Sequence, residues 1–415
     1  MSFVIQRVGY LAFRNMREYV LEPDPHLTVL VGPNAVGKTN CIEGMQILTT
    51  GASFRHPSPA DLILEGEPSA TLRLHAEAEK RTLDVGYDIF PSKKLLSLNG
   101  KRRPNSEGCG IIPAILFYPD ELLAIKGGAA GRRELIDGFG TQINKTYARV
   151  ASDYRKALLQ RNSMMKDAAR TGVPLDPALF DAWTNSLVVA GSMLFLYRYS
   201  LVASLARRVE RIYGELSSGE AAAVGYESAY GCPGAGGGGT AGGSEEAAGT
   251  PAGTPGGAST SSGGASGPYA PASSSAAPSP APKREEVEAS FRRMLEACRA
   301  DELRRCQTLV GPHLDDVAFY VEGRSARKFG SQGQQRTMVL ALKLAQVEMV
   351  RDLQGAYPLF LLDDVMSELD AERRSRLFDL IKCGMQTVVT TTNLEYFSKG
   401  ELEETKVVRL GVGQG

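Results

Sequence analysis

This sequence has no surplus of either charge. Its 47 Lys and Arg balance 47 Asp and Glu, so the formal net charge is zero. Any contact with nucleic acid must therefore come from a local basic patch, not from the field of the whole chain. Sulfur is sparse too. The six cysteines, at 41, 109, 232, 298, 306 and 383, include no C-x-x-C pair. That argues against a zinc centre and for a reducing compartment. No long uninterrupted apolar run occurs, so neither a membrane span nor a membrane partner is expected. Polar residues break every apolar run near the N-terminus, so no signal peptide is expected and the expected location is cytoplasmic. What remains is 43% hydrophobic over 415 residues, enough for two domains.

Against that plain background, Gly32-Pro33-Asn34-Ala35-Val36-Gly37-Lys38-Thr39 stands out as a complete G-x-x-x-x-G-K-T loop. The apolar, β-branched run Leu27–Val31 precedes it and reads as a buried strand. From Cys41 to Leu48 the pattern suits a helix. Backbone N–H groups of the loop, with Asn40 just beyond it, are expected to wrap the phosphates of ATP. Lys38 is expected at the β- and γ-phosphates, and the Thr39 hydroxyl at Mg²⁺.

A second part of such a site is Pro358-Leu359-Phe360-Leu361-Leu362-Asp363-Asp364. Apolar residues ending in two acids fit a buried strand that stops at the phosphates. Asp363 is expected to hold Mg²⁺, directly or through water. Asp364, with Lys38, is expected to be catalytic, as the carboxylate that positions or deprotonates the attacking water. Ser367-Glu368-Leu369-Asp370 follows and resembles the D-loop of ABC-type ATPases, with Ser367 and Asp370 as its candidate residues.

Phe329-Gly330-Ser331-Gln332-Gly333-Gln334-Gln335-Arg336 resembles the signature motif of the same ATPases. By itself Ser-Gln-Gly-Gln is only a capped helix start. Placed before an amphipathic helix and the acidic strand, it reads as a signature. Ser331, Gln332, Gly333 and Gln334 would then point a positive helix N-terminus at the γ-phosphate of another subunit. The active site becomes a dimer interface with ATP as the glue. Near the end, Gln386–Asn393 reads as a strand ending in hydroxyls, with Thr391 and Thr392 at the switch position. Transporter-type enzymes carry a histidine there. None of His26, His56, His75 or His313 is placed to serve, so slow hydrolysis is expected.

Pattern shifts divide the chain. Residues 1–118 alternate like strands, with turn signals at Asn99-Gly100 and Gly108–Gly110. From Arg132 a helical stripe runs through Ile136, Phe139, Ile143, Tyr147, Val150, Tyr154 and Leu158. After Gly172, Pro174 and Pro177, a second stripe runs from Phe180 to Ile212. Together they predict an antiparallel helical arm. Residues 231–282 are almost all Gly, Ala, Ser, Thr and Pro and read as a disordered insertion. The expected fold is α/β: an ABC-type ATPase head over 1–130 and 300–415, its P-loop sheet flanked by antiparallel strands. An α-helical arm domain over 131–299 completes it.

Further matching segments are Phe13-Arg14-Asn15, Phe117-Tyr118-Pro119-Asp120, Lys126-Gly127 with Arg132-Arg133, and Gly311-Pro312-His313-Leu314-Asp315-Asp316. In this order, and with the run from Asp363 to Asp370, the chain resembles the RecF family of bacterial DNA replication and repair proteins. These are related to the heads of structural-maintenance-of-chromosomes proteins. The resemblance implies an ATP-dependent homodimer that binds double-stranded DNA with preference for gap junctions. It also implies cooperation with RecR and RecO in placing RecA on single-stranded gaps. Ala35 departs from a family position that often holds Gly, and Leu314 from one that often holds Arg.

Candidate DNA contacts are the clusters Lys101-Arg102-Arg103, at a hairpin tip, and Arg132-Arg133. Arg14 and Asn15 are placed near the nucleotide. Two other classes compete. An ABC transporter subunit keeps its P-loop and signature close, whereas about 290 residues separate Thr39 from Ser331 here. A non-hydrolysing scaffold would dimerise on ATP without binding DNA.

Overall fold

The computed structural model describes residues 3–79, 81–217, 219–229, 282–382 and 384–411. The expected insertion at 231–282 lies outside the described residues except for Pro282.

The chain opens with β1 (Val4–Phe13), β2 (Met16–Leu21) and β3 (Leu27–Val31), followed by α1 (Lys38–Thr50). Four strands come next: β4 (Ala70–Ala78), β5 (Arg81–Phe90), β6 (Lys93–Leu98) and β7 (Lys101–Arg103). Then come β8 (Ala114–Phe117), α2 (Leu122–Lys126), α3 (Ala129–Ile143), α4 (Lys145–Thr171) and α5 (Pro177–Leu216). Beyond α5 lie β9 (Ala222–Glu227), α6 (Arg284–Arg305), β10 (Asp316–Val321), β11 (Arg324–Ser325) and α7 (Ala326–Phe329). The last elements are α8 (Gln332–Gln354), β12 (Leu359–Asp363), α9 (Ala371–Ile381), β13 (Thr387–Thr391), α10 (Lys399–Glu403) and β14 (Lys406–Arg409).

Two sheets sandwich α1. The first is parallel, in the order β14-β3-β13-β12-β8. Every residue of β3, β8, β12 and β13 is buried, as continuous apolar runs in a covered parallel sheet require. The second is antiparallel, in the order β2-β1-β4-β5-β6-β7. Its alternating strands bury one face, with Tyr10, Leu72, Leu74, Val85 and Tyr87 against Ile42 and Met45 of α1. Asn99 and Gly100 turn β6 into β7 with φ of 46° and 76°, the left-handed pair that a two-residue hairpin needs.

The helical stripe that begins at Arg132 is not one helix. Asn144, extended at φ −144°, interrupts it, and its side chain accepts from the N–H groups of Thr146 and Tyr147. An Asn cap satisfies the first donors of α4 and lets the chain turn between α3 and α4 without losing the apolar stripe. Asp176 caps α5 in the same way, with Pro177 at its first position. α4 and α5 then pack side by side as the predicted antiparallel pair.

α5 is the one described helix long and apolar enough, by composition, to cross a membrane. Its apolar face is buried inside the protein, with Leu187, Leu194, Leu205 and Val209 packed among α4, α6, α8 and β9. It also buries Arg198, which donates to both carboxylate oxygens of Asp137 at 2.8 and 2.7 Å. Beyond α5, β9 pairs with β10 in a small antiparallel sheet ordered β11-β10-β9, which carries the chain into α8.

Candidate nucleotide-binding site

The loop between β3 and α1 takes its shape from backbone that few residues accept. Gly37 has φ 110°, and a Cβ there would sit 3.0 Å from Asn15 Oδ1. At Gly32 a Cβ would lie 2.5 Å from the carbonyl oxygen of Leu410, the residue just past β14. Ala35 holds φ 65°, the left-handed region in which glycine is the easier residue. No side chain caps α1, so its first-turn N–H groups face the loop's hollow. Lys38 Nζ donates to the carbonyls of Gly32 and Pro33 at 2.7 and 2.8 Å. Burial pulls its pKa down, against the opposing pull of Asp364 and Asp363.

Sheet order brings the acids to this loop. β12 ends one strand away from β3, with β13 between them. Thr39 Oγ1 donates to Asp363 Oδ1 at 3.0 Å, joining residues 324 positions apart. Asp363 and Asp364 both have carboxyl pKa values raised chiefly by burial. Asp364 stands at φ 51°, and its Oδ1 is buried without a hydrogen-bond partner among the described residues. The donor set of one carboxylate and one hydroxyl fits a hard cation such as Mg²⁺, which keeps waters and phosphate oxygens for its other positions. No cluster of three or more His, Cys, Asp or Glu side chains gathers into an alternative metal site among the described residues.

Neither of the expected switch threonines meets the acids within this chain. Thr391 Oγ1 turns to the backbone of Asn393, and Thr392 is exposed. The hydroxyl that meets the acids belongs to Thr390: its Oγ1 donates to Asp363 Oδ1 at 2.7 Å and accepts from the Asp364 N–H at 2.9 Å. In a strand neighbours point to opposite faces, so Thr391 cannot join Thr390 there, and Thr392 lies beyond the end of β13. The sequence offered three and gave no register.

Around the start of α1, Asn40 Nδ2 donates to Asn15 Oδ1 at 2.8 Å, which places Asn15 against the loop. Arg14 instead forks onto the buried Glu43 at 2.9 and 2.6 Å. Arg55, not anticipated, bridges Asn40 Oδ1 and Glu43. It lies in the loop after α1 and belongs to no motif that the sequence shows.

The signature run lies apart. Ser331 caps α8, accepting from Gln334 N–H at 3.2 Å, while Gln334 Oε1 accepts from Ser331 N–H at 3.0 Å. Ser331 and Gln332 are exposed, Gly333 and Gln334 partly so. No hydrogen bond among the described residues links Ser331–Gln334 to the 32–40 loop of the same chain. Ser367 Oγ donates to the Asp364 carbonyl at 3.1 Å, and Asp370 accepts from the Arg373 N–H at 2.9 Å. Arg336 of α8 pairs with Glu368, tying the D-loop run to the signature helix.

The DNA candidates divide. Lys101, Arg102 and Arg103 are all exposed on β7, though Arg102 pairs with Asp88 at 2.6 Å. Arg132 does not face solvent. It is 2% exposed, and it forks onto Asp316 at 2.8 and 2.7 Å while donating to the carbonyls of Ile125 and Gly127. Arg133 donates to the Asp315 carbonyl at 2.6 Å. A guanidinium with five donors satisfies the orphan carbonyls where α2 ends, so this pair latches α3 to β10.

Residues 4–410 match the RecF/RecN/SMC N terminal domain family. A DNA replication and repair protein RecF from Lactobacillus delbrueckii subsp. bulgaricus is 33% identical over 417 aligned residues, covering 99% of this chain and 96% of the relative. One from Symbiobacterium thermophilum is 34% identical, covering 92% and 90%. A solved structure described as the recombination mediator protein RecF-ATPrS in the RecFOR pathway superposes with a TM-score of 0.79 at 24% identity. It covers 96% of this chain and 94% of that one, so the α/β head with its helical arm is shared. The chain belongs to the RecF family of DNA replication and repair proteins.

Proposed function

We propose that this chain is an ATP-dependent dimeric DNA-binding protein of recombinational repair and replication, acting in the cytoplasm. It binds double-stranded DNA at gaps, works with RecR and RecO in loading RecA, and uses slow ATP hydrolysis to reset the dimer. The observation that carries this reading is the contact of Thr39 with Asp363 at one surface while the capped, exposed Ser331 helix start lies outside it. One chain has both halves of a nucleotide clamp but does not join them, so a second copy is the natural partner. Residues 1–130 and 300–415 form the head in this reading, and 131–299 the arm.

The mechanism follows from the residues. The 32–37 loop and the first turn of α1 bind the phosphates, with Asn40 and Asn15 bracing the loop. Lys38 leaves the Gly32 and Pro33 carbonyls for the β- and γ-phosphates. Asp363 and Thr39 would hold Mg²⁺, which supplies charge neutralisation on the phosphate oxygens. Ser331 and Gly333 of the partner copy close the site on the γ-phosphate, with Gln332 and Gln334 flanking them. Asp364 accepts the proton of the attacking water, and its raised pKa suits a base that must release that proton later. Loss of the γ-phosphate removes the contact with the α8 N-terminus, and the dimer opens. Lys101, Arg102 and Arg103 remain the candidate contacts to duplex phosphates.

The test is fluorescence anisotropy of a labelled duplex in ATP and in ADP at fixed salt. Binding favoured by ATP and lost in Ser331→Arg supports the clamp. No binding in either nucleotide, with ATP-driven dimerisation intact, moves the function to a protein scaffold.

A further inference from the structure

Thr390 is fully buried on β13, the strand inserted between the P-loop strand β3 and the acid-bearing β12. Its single hydroxyl is committed twice. The proton goes to Asp363 Oδ1 at 2.7 Å, and a lone pair takes the Asp364 N–H at 2.9 Å. The same Asp363 oxygen takes the Thr39 hydroxyl at 3.0 Å. Asp364 meanwhile holds a left-handed φ of 51°, a conformation a non-glycine residue keeps only when its surroundings impose it. Thr390 is the side chain that grips its amide.

We propose that Thr390 is a positioning residue that couples the metal-facing carboxylate of Asp363 to the placement of Asp364 as general base. The inference rests on the ATPase reading above. When the Asp363 carboxylate turns toward a cation, the Thr390 hydroxyl must follow it or let go. Because the same oxygen holds the Asp364 amide, either response is felt by the Asp364 backbone. Two consecutive acids are thus read by one hydroxyl from the strand between the two halves of the site.

Substitution separates this role from simple packing. Valine keeps the shape of threonine and is at home in a buried strand, but it neither donates nor accepts. Serine restores the hydroxyl and loses the methyl group. A packing role ranks valine above serine, and a coupling role ranks serine above valine.

The experiment uses the full chain as wild type, Thr390→Val and Thr390→Ser. ATP affinity is measured without metal, Mn²⁺ affinity in the presence of ATP by electron paramagnetic resonance, and hydrolysis across Mg²⁺ concentrations. Amide hydrogen exchange is followed in the segment holding Asp364. The expected result is metal-free ATP affinity unchanged in all three chains. Thr390→Val should lose about 10- to 100-fold in Mn²⁺ affinity and in kcat, as loss of a partner behind a metal ligand does. Its exchange at Asp364 should be faster, and Thr390→Ser should stay near wild type. Valine indistinguishable from wild type, with serine worse, would overturn the proposal. So would a wild-type chain that binds ATP but shows no metal dependence. A wild type that binds no ATP at all would fail the ATPase reading first, a distinct outcome that takes this inference with it. Should the valine chain be unstable, Thr390→Cys, a weak donor and acceptor, replaces it with the same ranking.

Discussion

Arg161 of α4 donates to Glu302 of α6 at 2.6 Å, and both side chains are almost wholly buried. The guanidinium also reaches Thr308 at 2.8 Å and Thr184 at 3.1 Å, and lies over the Phe180 ring. One residue of α4 thereby pins α5, α6 and the segment that leads back to the head. Breaking one partner leaves the other charged and buried. Glu302→Ala is expected to cost about 3–5 kcal/mol in urea unfolding. The double change Arg161→Met, Glu302→Leu should cost markedly less, because no orphan charge remains. Equal losses for the single and double changes would show that packing, not the pair, holds the arm.

Asp364→Asn keeps the size of the side chain and removes the base. It is expected to bind ATP like wild type, to hydrolyse it about 10²- to 10⁴-fold more slowly, and to stay dimeric correspondingly longer. Gel filtration after ATP is chased with ADP reads the lifetime. Equal lifetimes would remove Asp364 from the catalytic role.

Ala35 occupies a left-handed position, where a Cβ costs about 1 kcal/mol that glycine does not incur. Ala35→Gly is expected to leave stability equal or higher despite the added freedom of its unfolded chain, and Ala35→Val to lower it. Thermal unfolding of the three chains checks the order. A valine chain as stable as wild type would mean that the loop adopts another conformation in solution.

Asp315 is buried beneath Tyr226, and burial lifts its carboxyl to about 6 despite hydrogen bonds and the nearby Arg198 and Arg133. The folded chain therefore holds this proton more tightly than the unfolded one. Its stabilising contribution is full below the ordinary carboxyl value and is lost as pH rises through about 6. Wild type is expected to gain on the order of 2–3 kcal/mol over Asp315→Asn between pH 7 and pH 4. Neighbouring His313, whose pKa burial lowers, works in the opposite direction in both chains, so the difference isolates Asp315. A pH-independent difference in urea unfolding would place a water or counter-charge beside the carboxylate.

The parts legible in the sequence were those with a period or a spacing. The P-loop, the acid-ended strand, the capped start of α8 and the arm's apolar stripes each follow from local chemistry. Register and side-chain direction were not legible. Three threonines in a row could not say which meets Asp363, and Arg132-Arg133 could not say that their helix faces β10. The break at Asn144 was hidden because a cap can turn the chain while leaving the apolar stripe in phase. Arg55 and Glu43 lie outside any motif and meet only because α1 and the loop after it fold back together.

Among the described residues, β3 pairs with β13 and β14, and β8 with β12. All three partners are made last during synthesis, after residue 358. Until then the nascent chain carries the loop proposed to grip phosphate on a strand with neither of its partners. Such bare edges are the kind that stick to other chains, and long-range pairing of this sort forms slowly. The order of translation thus leaves the N-terminal half dependent on its own tail. A message cut short before β12 would yield a protein with every P-loop residue in place and no sheet to hold them.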